Sequence, residues 1–198
     1  VDFSVSNINQ ESSHWSKVFT ANDKSIGDAP SVLSLVQLKM RKGLPYSFEI
    51  GGRVGKLLDS DLWTMGLNVR YAALEGFRYL PDISIGGGLS TILGSREMSM
   101  LVTGGDITIS KAFGVGGVLS LAPYVSYNLL VVRASSYVVG RFASGAPVLD
   151  RFVFAPQTIL RHRGAVGLRL TSNHFTVSAE AILTSGVQTF TSQVGEKF

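Results

Sequence analysis

The sequence predicts an all-β chain, a transmembrane antiparallel up-and-down β-barrel of about ten strands, and three observations carry that reading. Segments of strand length alternate apolar and polar residues along most of the chain, with turn residues between them. Their polar sides are largely Gly, Ser and Thr with a few isolated charges, whereas a sheet facing water should be rich in Lys, Glu, Arg and Asp. Charged residues make up 16% of the chain, against about 25% in an ordinary soluble domain, and mean hydropathy is +0.25. A soluble sandwich or barrel would alternate in the same way with its apolar side inward. The composition of the polar face is what favours lipid outside and a cramped polar lumen inside.

Length and composition narrow the rest. The 198 residues suit one domain with no linker-like shift in composition. No apolar run reaches the roughly 18 residues of a membrane helix. A chain that spans a bilayer with strands must close them into a barrel, since open edges leave backbone groups unpaired in hydrocarbon. The absence of cysteine removes disulfides, thiol nucleophiles and thiolate metal sites. Net charge is a modest +4, and Lys and Arg are scattered along the strands rather than gathered with aromatics on one face, which argues against a nucleic-acid partner. No export signal opens the chain, where Val1, Phe3 and Val5 already alternate with polar residues. We expect a mature or trimmed form whose signal lies upstream, with or without the start of its first strand.

Taken in order, the first strand is Val1 to Ile8, followed by a long polar loop, 9–30, holding His14, Trp15 and Phe19. The second covers Ser31 to Arg41, with Leu38 and Met40 opposite Gln37, Lys39 and Arg41, and Lys42-Gly43-Leu44-Pro45 reads as a tight turn. The third alternates Tyr46, Phe48, Ile50 and Val54 with Ser47, Glu49, Gly51 and Arg53. Beyond Asp59-Ser60-Asp61, the fourth sets Trp63, Met65, Leu67, Val69 and Tyr71 against Thr64, Gly66, Asn68 and Arg70. After Glu75 to Pro81, the fifth sets Ile83, Ile85, Leu89 and Leu93 against Ser84, Gly86, Gly88 and Ser90. The sixth, Ser99 to Lys111, changes parity near Gly104-Gly105, which suggests a bulge. The seventh keeps Leu119, Leu121, Pro123, Val125, Tyr127, Leu129 and Val131 on one face. That is longer than the roughly 9–11 residues a tilted strand needs, so its end should project from the membrane; Pro123 is its weak point, having no N–H to donate. A second long loop, 133–156, leads to the eighth strand, where Leu160, Val166, Leu168 and Leu170 oppose Arg161, Arg163, Gly167 and Arg169. The last two strands form a hairpin, Phe175 to Phe198, turning at Thr184-Ser185-Gly186.

Loop lengths agree with this order. Both long loops fall on odd-numbered connections, at one end of a meander, while the connections at Lys42, Glu75, Phe113 and Thr171 are short. Outer-membrane barrels have this asymmetry, with short periplasmic turns and longer extracellular loops. Phe190, Val194 and the terminal Phe198, on one face, resemble the closing strand of Gram-negative outer-membrane barrels, with Glu196 a departure from that pattern. The runs Lys42 to Gly51, Leu74 to Gly94 and Ser110 to Gly114 resemble a group of mostly uncharacterised, porin-like outer-membrane barrels. The resemblance implies an outer-membrane location and contact with its lipid and lipopolysaccharide, and no reaction.

The candidate residues follow from strand parity. Glu49, Arg53, Arg70, Asp106, Arg161, Arg163, Arg169 and Glu180 point away from the apolar face, and an Arg at the lipid midplane would cost roughly 2–4 kcal/mol, so they should face the lumen. There they would either plug it as a network of ion pairs or line a narrow pore. Tyr46, Tyr71, Phe175 and Phe198 at one end, with Trp63 and Phe190 at the other, are expected as interfacial aromatics. His14, His162 and His174 are the general-base candidates. His162 is the best placed, yet no nucleophile and acidic orienter stand beside it in the pattern, and contact with headgroups is the duller reading. Glycine runs at Ile85-Gly86-Gly87-Gly88-Leu89 and Phe113-Gly114-Val115-Gly116-Gly117 open no helix, so they are no phosphate cradle. Metal-ligand spacing is absent, and no cofactor is expected. The function expected is a non-enzymatic membrane anchor or partner-binding subunit of an envelope assembly, such as secretion or gliding-motility machinery, meeting other envelope proteins through loops 9–30 and 133–156. The alternatives are a passive channel for small solutes and, less favoured, a lipid-modifying enzyme.

Overall fold

The computed structural model of the chain describes residues 1–8, 32–58, 60–77, 79–95, 98–136, 139–141, 150–152, 156–185 and 187–196. Loop 9–30 with His14, Trp15 and Phe19, much of loop 133–156, and the terminal Phe198 lie outside them.

The strands are β1 (Asp2–Ile8), β2 (Val32–Leu44), β3 (Phe48–Leu57), β4 (Trp63–Leu74), β5 (Asp82–Leu93), β6 (Met98–Ser110), β7 (Phe113–Val115), β8 (Leu119–Ser136), β9 (Val139–Arg141), β10 (Asp150–Phe152), β11 (Gln157–Thr171), β12 (Phe175–Thr184) and β13 (Val187–Glu196). Ten of them pair antiparallel in chain order, β1 to β6, then β8, β11, β12 and β13, and β13 returns to β1 to close the barrel. Short β7 folds back on the start of β8, and β9 pairs with β10 as a separate hairpin. At the seam, Asp2 stands opposite both Gln37 and Gln193. Inside it, hydroxyls meet at Ser4–Thr191 (3.1 Å) and Ser6–Thr189 (2.9 Å), and the Val1 amino group donates to the Val194 carbonyl at 2.6 Å.

Which side of the wall is apolar settles the choice between a soluble and an inside-out barrel. Trp63, Leu67, Val125 and Leu168 are 46%, 54%, 59% and 45% exposed, all on the outer surface. Among the described residues the buried positions are the polar Asp2, Ser4, Asn128, Ser178 and Thr191, the glycines Gly51, Gly55 and Gly66, and Tyr124 and Ala165, with no large aliphatic side chain among them. A sheet so arranged has its apolar face turned to a surrounding medium, and a barrel leaves no edge to pair.

Three expectations need correction. The first turn is not Lys42 to Pro45: β2 continues through Leu44, and the chain reverses at residues 45–47, with Tyr46 and Ser47 both at positive φ, 63° and 62°. Tyr46 is therefore an exposed turn residue, and Phe48 occupies the outward position at the strand end, its ring 4.9 Å from that of Tyr71. The bulge near Gly104-Gly105 does not exist. β6 keeps unbroken register with β5 and β8, and the change in apolar parity arises because Met100 and Val102 face inward. The register shift that does occur lies at Ala72/Leu74, between β4 and β5. Part of loop 133–156 is strand: β8 extends to Ser136, β11 begins at Gln157, and the β9–β10 hairpin lies between them in the chain. Pro123 is accommodated because its carbonyl accepts from the Lys111 N–H (3.2 Å), so its missing N–H faces the step between β6 and β7, where the ladder is already broken.

The short connections at the lower end are pinned. Ser47 Oγ donates to Glu75 Oε1 (2.6 Å), the Gly76 N–H to Asp82 Oδ1 (3.0 Å), and Lys111 Nζ to the carbonyls of Phe77 (2.7 Å) and Leu80 (2.5 Å). The three sequence runs that carry the outer-membrane resemblance thus meet at one end of the barrel.

Candidate functional site

Strand pleat sends every second side chain into the lumen. Among the described residues, the inward positions that border the lumen cavities hold six cations, Lys39, Arg41, Arg53, Arg70, Arg163 and Arg169, and four carboxylates, Asp2, Glu49, Asp106 and Glu180. They border a chain of cavities: one of about 530 Å³ at the lower mouth, one of about 200 Å³ in mid-lumen, and one of about 80 Å³ beyond it. Successive cavities share walls. Lys39, Arg41, Glu49, Arg169 and Gln193 border both the first and second, while Arg53, Asn68, Asp106, Asn128 and Arg163 border both the second and third. Glu196 adds a carboxylate at the rim of the lower mouth.

The contacts run along the wall. Lys39 Nζ pairs with the nearly inaccessible Asp2, Arg41 approaches Glu49 at 3.9 Å, and Arg70 Nη2 donates to Asp106 Oδ2 at 3.2 Å, where the Thr108 hydroxyl also donates (3.4 Å). Tyr124 donates its hydroxyl to Glu180 Oε2 at 2.7 Å, and the Arg169 guanidinium lies 5.4 Å from the Tyr124 ring centre. Arg163 Nη2 donates to Asn128 Oδ1 at 2.9 Å. Two glycines make this possible. A Cβ on Gly86 would stand 2.6 Å from Asp106 Oδ1, and one on Gly167 2.4 Å from Tyr124 Cζ. The glycines on the polar parity thus leave the room in which long side chains from neighbouring strands lie flat.

The other end of the lumen differs. Val102 and Leu130 border the 80 Å³ cavity, and Leu35, Leu57, Ile92 and Ile182 also occupy inward positions. Arg161 shares the inward parity but is exposed and borders none of these three cavities. Sequence reasoning missed Asp2, Lys39, Arg41, Tyr124 and Asn128 as lumen residues. Strand parity could have found the first three, opposite Phe3, Leu38 and Met40; Tyr124 was masked by its apolar neighbours.

Trp63 and Phe175 stand outward at the starts of β4 and β12, Tyr71 lies outward beside Phe48, and Phe190 is outward in β13. Lys56 Nζ sits 5.7 Å from the Trp63 ring centre. His162 is outward and exposed, and its Nδ1 shares a 2.6 Å hydrogen bond with the Tyr127 hydroxyl. His174 is exposed in the bend between β11 and β12. Among the described residues neither is joined to a carboxylate and a hydroxyl nucleophile in the manner of a triad.

No family model matches the chain, and no curated protein does. Among solved structures it is similar to Ail, the attachment invasion locus protein of Yersinia pestis, at 14% identity and a TM-score of 0.40, covering 100% of this chain and 98% of that one. It is also similar to the KdgM porin at 11% identity and a TM-score of 0.40, covering 100% and 99%. For the KdgM porin in complex with disordered oligogalacturonate the figures are 12% and 0.38, with the same coverage. Likeness at this level leaves the barrel's own geometry to carry the functional reading.

Proposed function

We propose that the protein is an integral barrel of a Gram-negative outer membrane whose lumen is filled, and that it works at its ends as a membrane anchor or partner-binding subunit of an envelope assembly. The observation that carries this reading is the mid-lumen layer. Charged and aromatic side chains lie across it and leave spaces of about 200 and 80 Å³, in line with the rule that barrels near eight strands fill their interior while those of 16 to 18 hold a channel. The outward apolar face supports the membrane location. Contacts with partners would come from the upper loops, 9–30 and 133–156, and from the pinned lower turns, where Tyr46 stands fully in the open. The barrel itself contacts lipid and lipopolysaccharide and has no enzymatic role in this reading.

Reconstitution into planar bilayers tests the filled lumen. The expected record is flat at physiological salt. Regular single-channel steps would overturn the scaffold reading and favour a passive channel for small solutes, the reading that the shared walls of the three cavities support.

A further inference from the structure

The charges inside the lumen do not balance, and the imbalance is local. Each inward carboxylate is already engaged: Asp2 with Lys39, Glu49 with Arg41, Asp106 with Arg70 and Glu180 with Tyr124. Arg169 rests on the Tyr124 ring. Arg53 and Arg163 are left, and both border the same 80 Å³ cavity and the same 200 Å³ cavity. Among the described residues neither forms an ion pair. Arg163 uses Nη2 on Asn128, while its Nε is buried without a hydrogen-bond partner. Two guanidiniums facing one confined space repel, and in low dielectric that arrangement is costly unless an anion is shared between them.

The chemistry of such a pair is specific. Guanidinium presents a planar fork of donors that matches the oxygens of phosphate, sulfate or carboxylate. The amides of Asn68 and Asn128 border the same space and can add donors. One water needs roughly 10–15 Å³ of such space, so 80 Å³ accommodates a small tetrahedral or planar oxyanion and excludes a nucleotide or an oligosaccharide. We propose that Arg53 and Arg163 form a clamp that holds one small oxyanion inside the lumen. The clamp neutralises the excess cations and ties β3 to β11 across the interior, whether or not the barrel conducts.

The test uses the purified barrel refolded in zwitterionic detergent, titrated calorimetrically with inorganic phosphate and, at matched ionic strength, with chloride. Saturable uptake of one phosphate per barrel is expected, with Arg53→Gln and Arg163→Gln each weakening it by about tenfold or more. Lys56→Gln, on the outer surface beside Trp63, should leave it unchanged. Arg53→Glu supplies an internal carboxylate for Arg163 and should abolish phosphate uptake while the barrel stays folded, as read from its heat-modifiable migration on gels. Should either Gln variant fail to fold, Arg53→Glu decides. Phosphate that behaves like chloride, uptake that survives in Arg53→Glu, or an equal loss in Lys56→Gln would each overturn the proposal.

Discussion

Replacing Gly167 with alanine should cost about 1–3.5 kcal/mol of folding free energy, although the substitution adds one methyl group at a strand position. The new Cβ would stand 2.4 Å from Tyr124 Cζ, 2.5 Å from its hydroxyl oxygen and 2.8 Å from Cε1, so the ring must leave the wall. That ring is held at one end by Glu180 at 2.7 Å and on its face by Arg169 at 5.4 Å. Losing a hydrogen bond to a charged group costs about 1.5–3 kcal/mol, and losing the cation–π contact about 0.5–1 kcal/mol. Against this, alanine restricts the unfolded chain and returns about 0.4–1 kcal/mol. The assay is reversible urea unfolding in lipid vesicles followed by tryptophan fluorescence, run as a double-mutant cycle with Tyr124→Ala. In that background the alanine has nothing to displace, and Gly167→Ala should be neutral or slightly stabilising. An equal penalty with and without the Tyr124 ring would refute the idea that inward glycines exist to let lumen side chains lie flat.

Two further outcomes follow from the same geometry. Leu67→Arg, in the middle of the outward face of β4, should destabilise the barrel by roughly 2–4 kcal/mol in the same urea titration, whereas arginine at the solvent-facing position of a soluble sheet would cost almost nothing. Lys111→Ala removes the donor that staples the carbonyls of Phe77 and Leu80; amide exchange should quicken over residues 75–82 while global stability falls by about 1 kcal/mol or less, since the contact is exposed.

Much of the wall was legible because lipid demands apolar residues on one parity. The β3–β4 hairpin reads directly from Phe48, Ile50 and Val54 against Tyr71, Val69 and Met65, and the register pairs them in that order, outward residue against outward residue. The reading failed where the lumen stopped being polar. Val102 faces inward beside Leu130 and Met100 shares its inward parity, so the apolar parity shifts while the backbone does not, and the sequence pattern mimics a bulge. The first turn was misplaced because Lys42-Gly43-Leu44-Pro45 carries the usual turn residues, while the chain turns on Tyr46 and Ser47 at positive φ, a conformation uncommon outside glycine. Strand parity gave the inward direction of Glu49, Arg53, Arg70 and Glu180. It could not give their partners, because the contacts Arg70–Asp106 and Tyr124–Glu180 each bridge over an intervening strand and depend on a glycine there.

The absence of native cysteine allows the most direct test of the inside-out wall: single cysteines at Leu67, Asn68 and Val69 and at Val125, Ser126 and Tyr127, spin-labelled in vesicles. Labels at 67, 69, 125 and 127 should collide freely with oxygen dissolved in the bilayer and hardly at all with a nickel chelate, while labels at 68 and 126 should be shielded from oxygen. Labels at Leu67 and Val125 shielded from both reagents, in a protein that stays monodisperse without detergent or lipid, would mean that these side chains form a water-soluble core and would contradict the account.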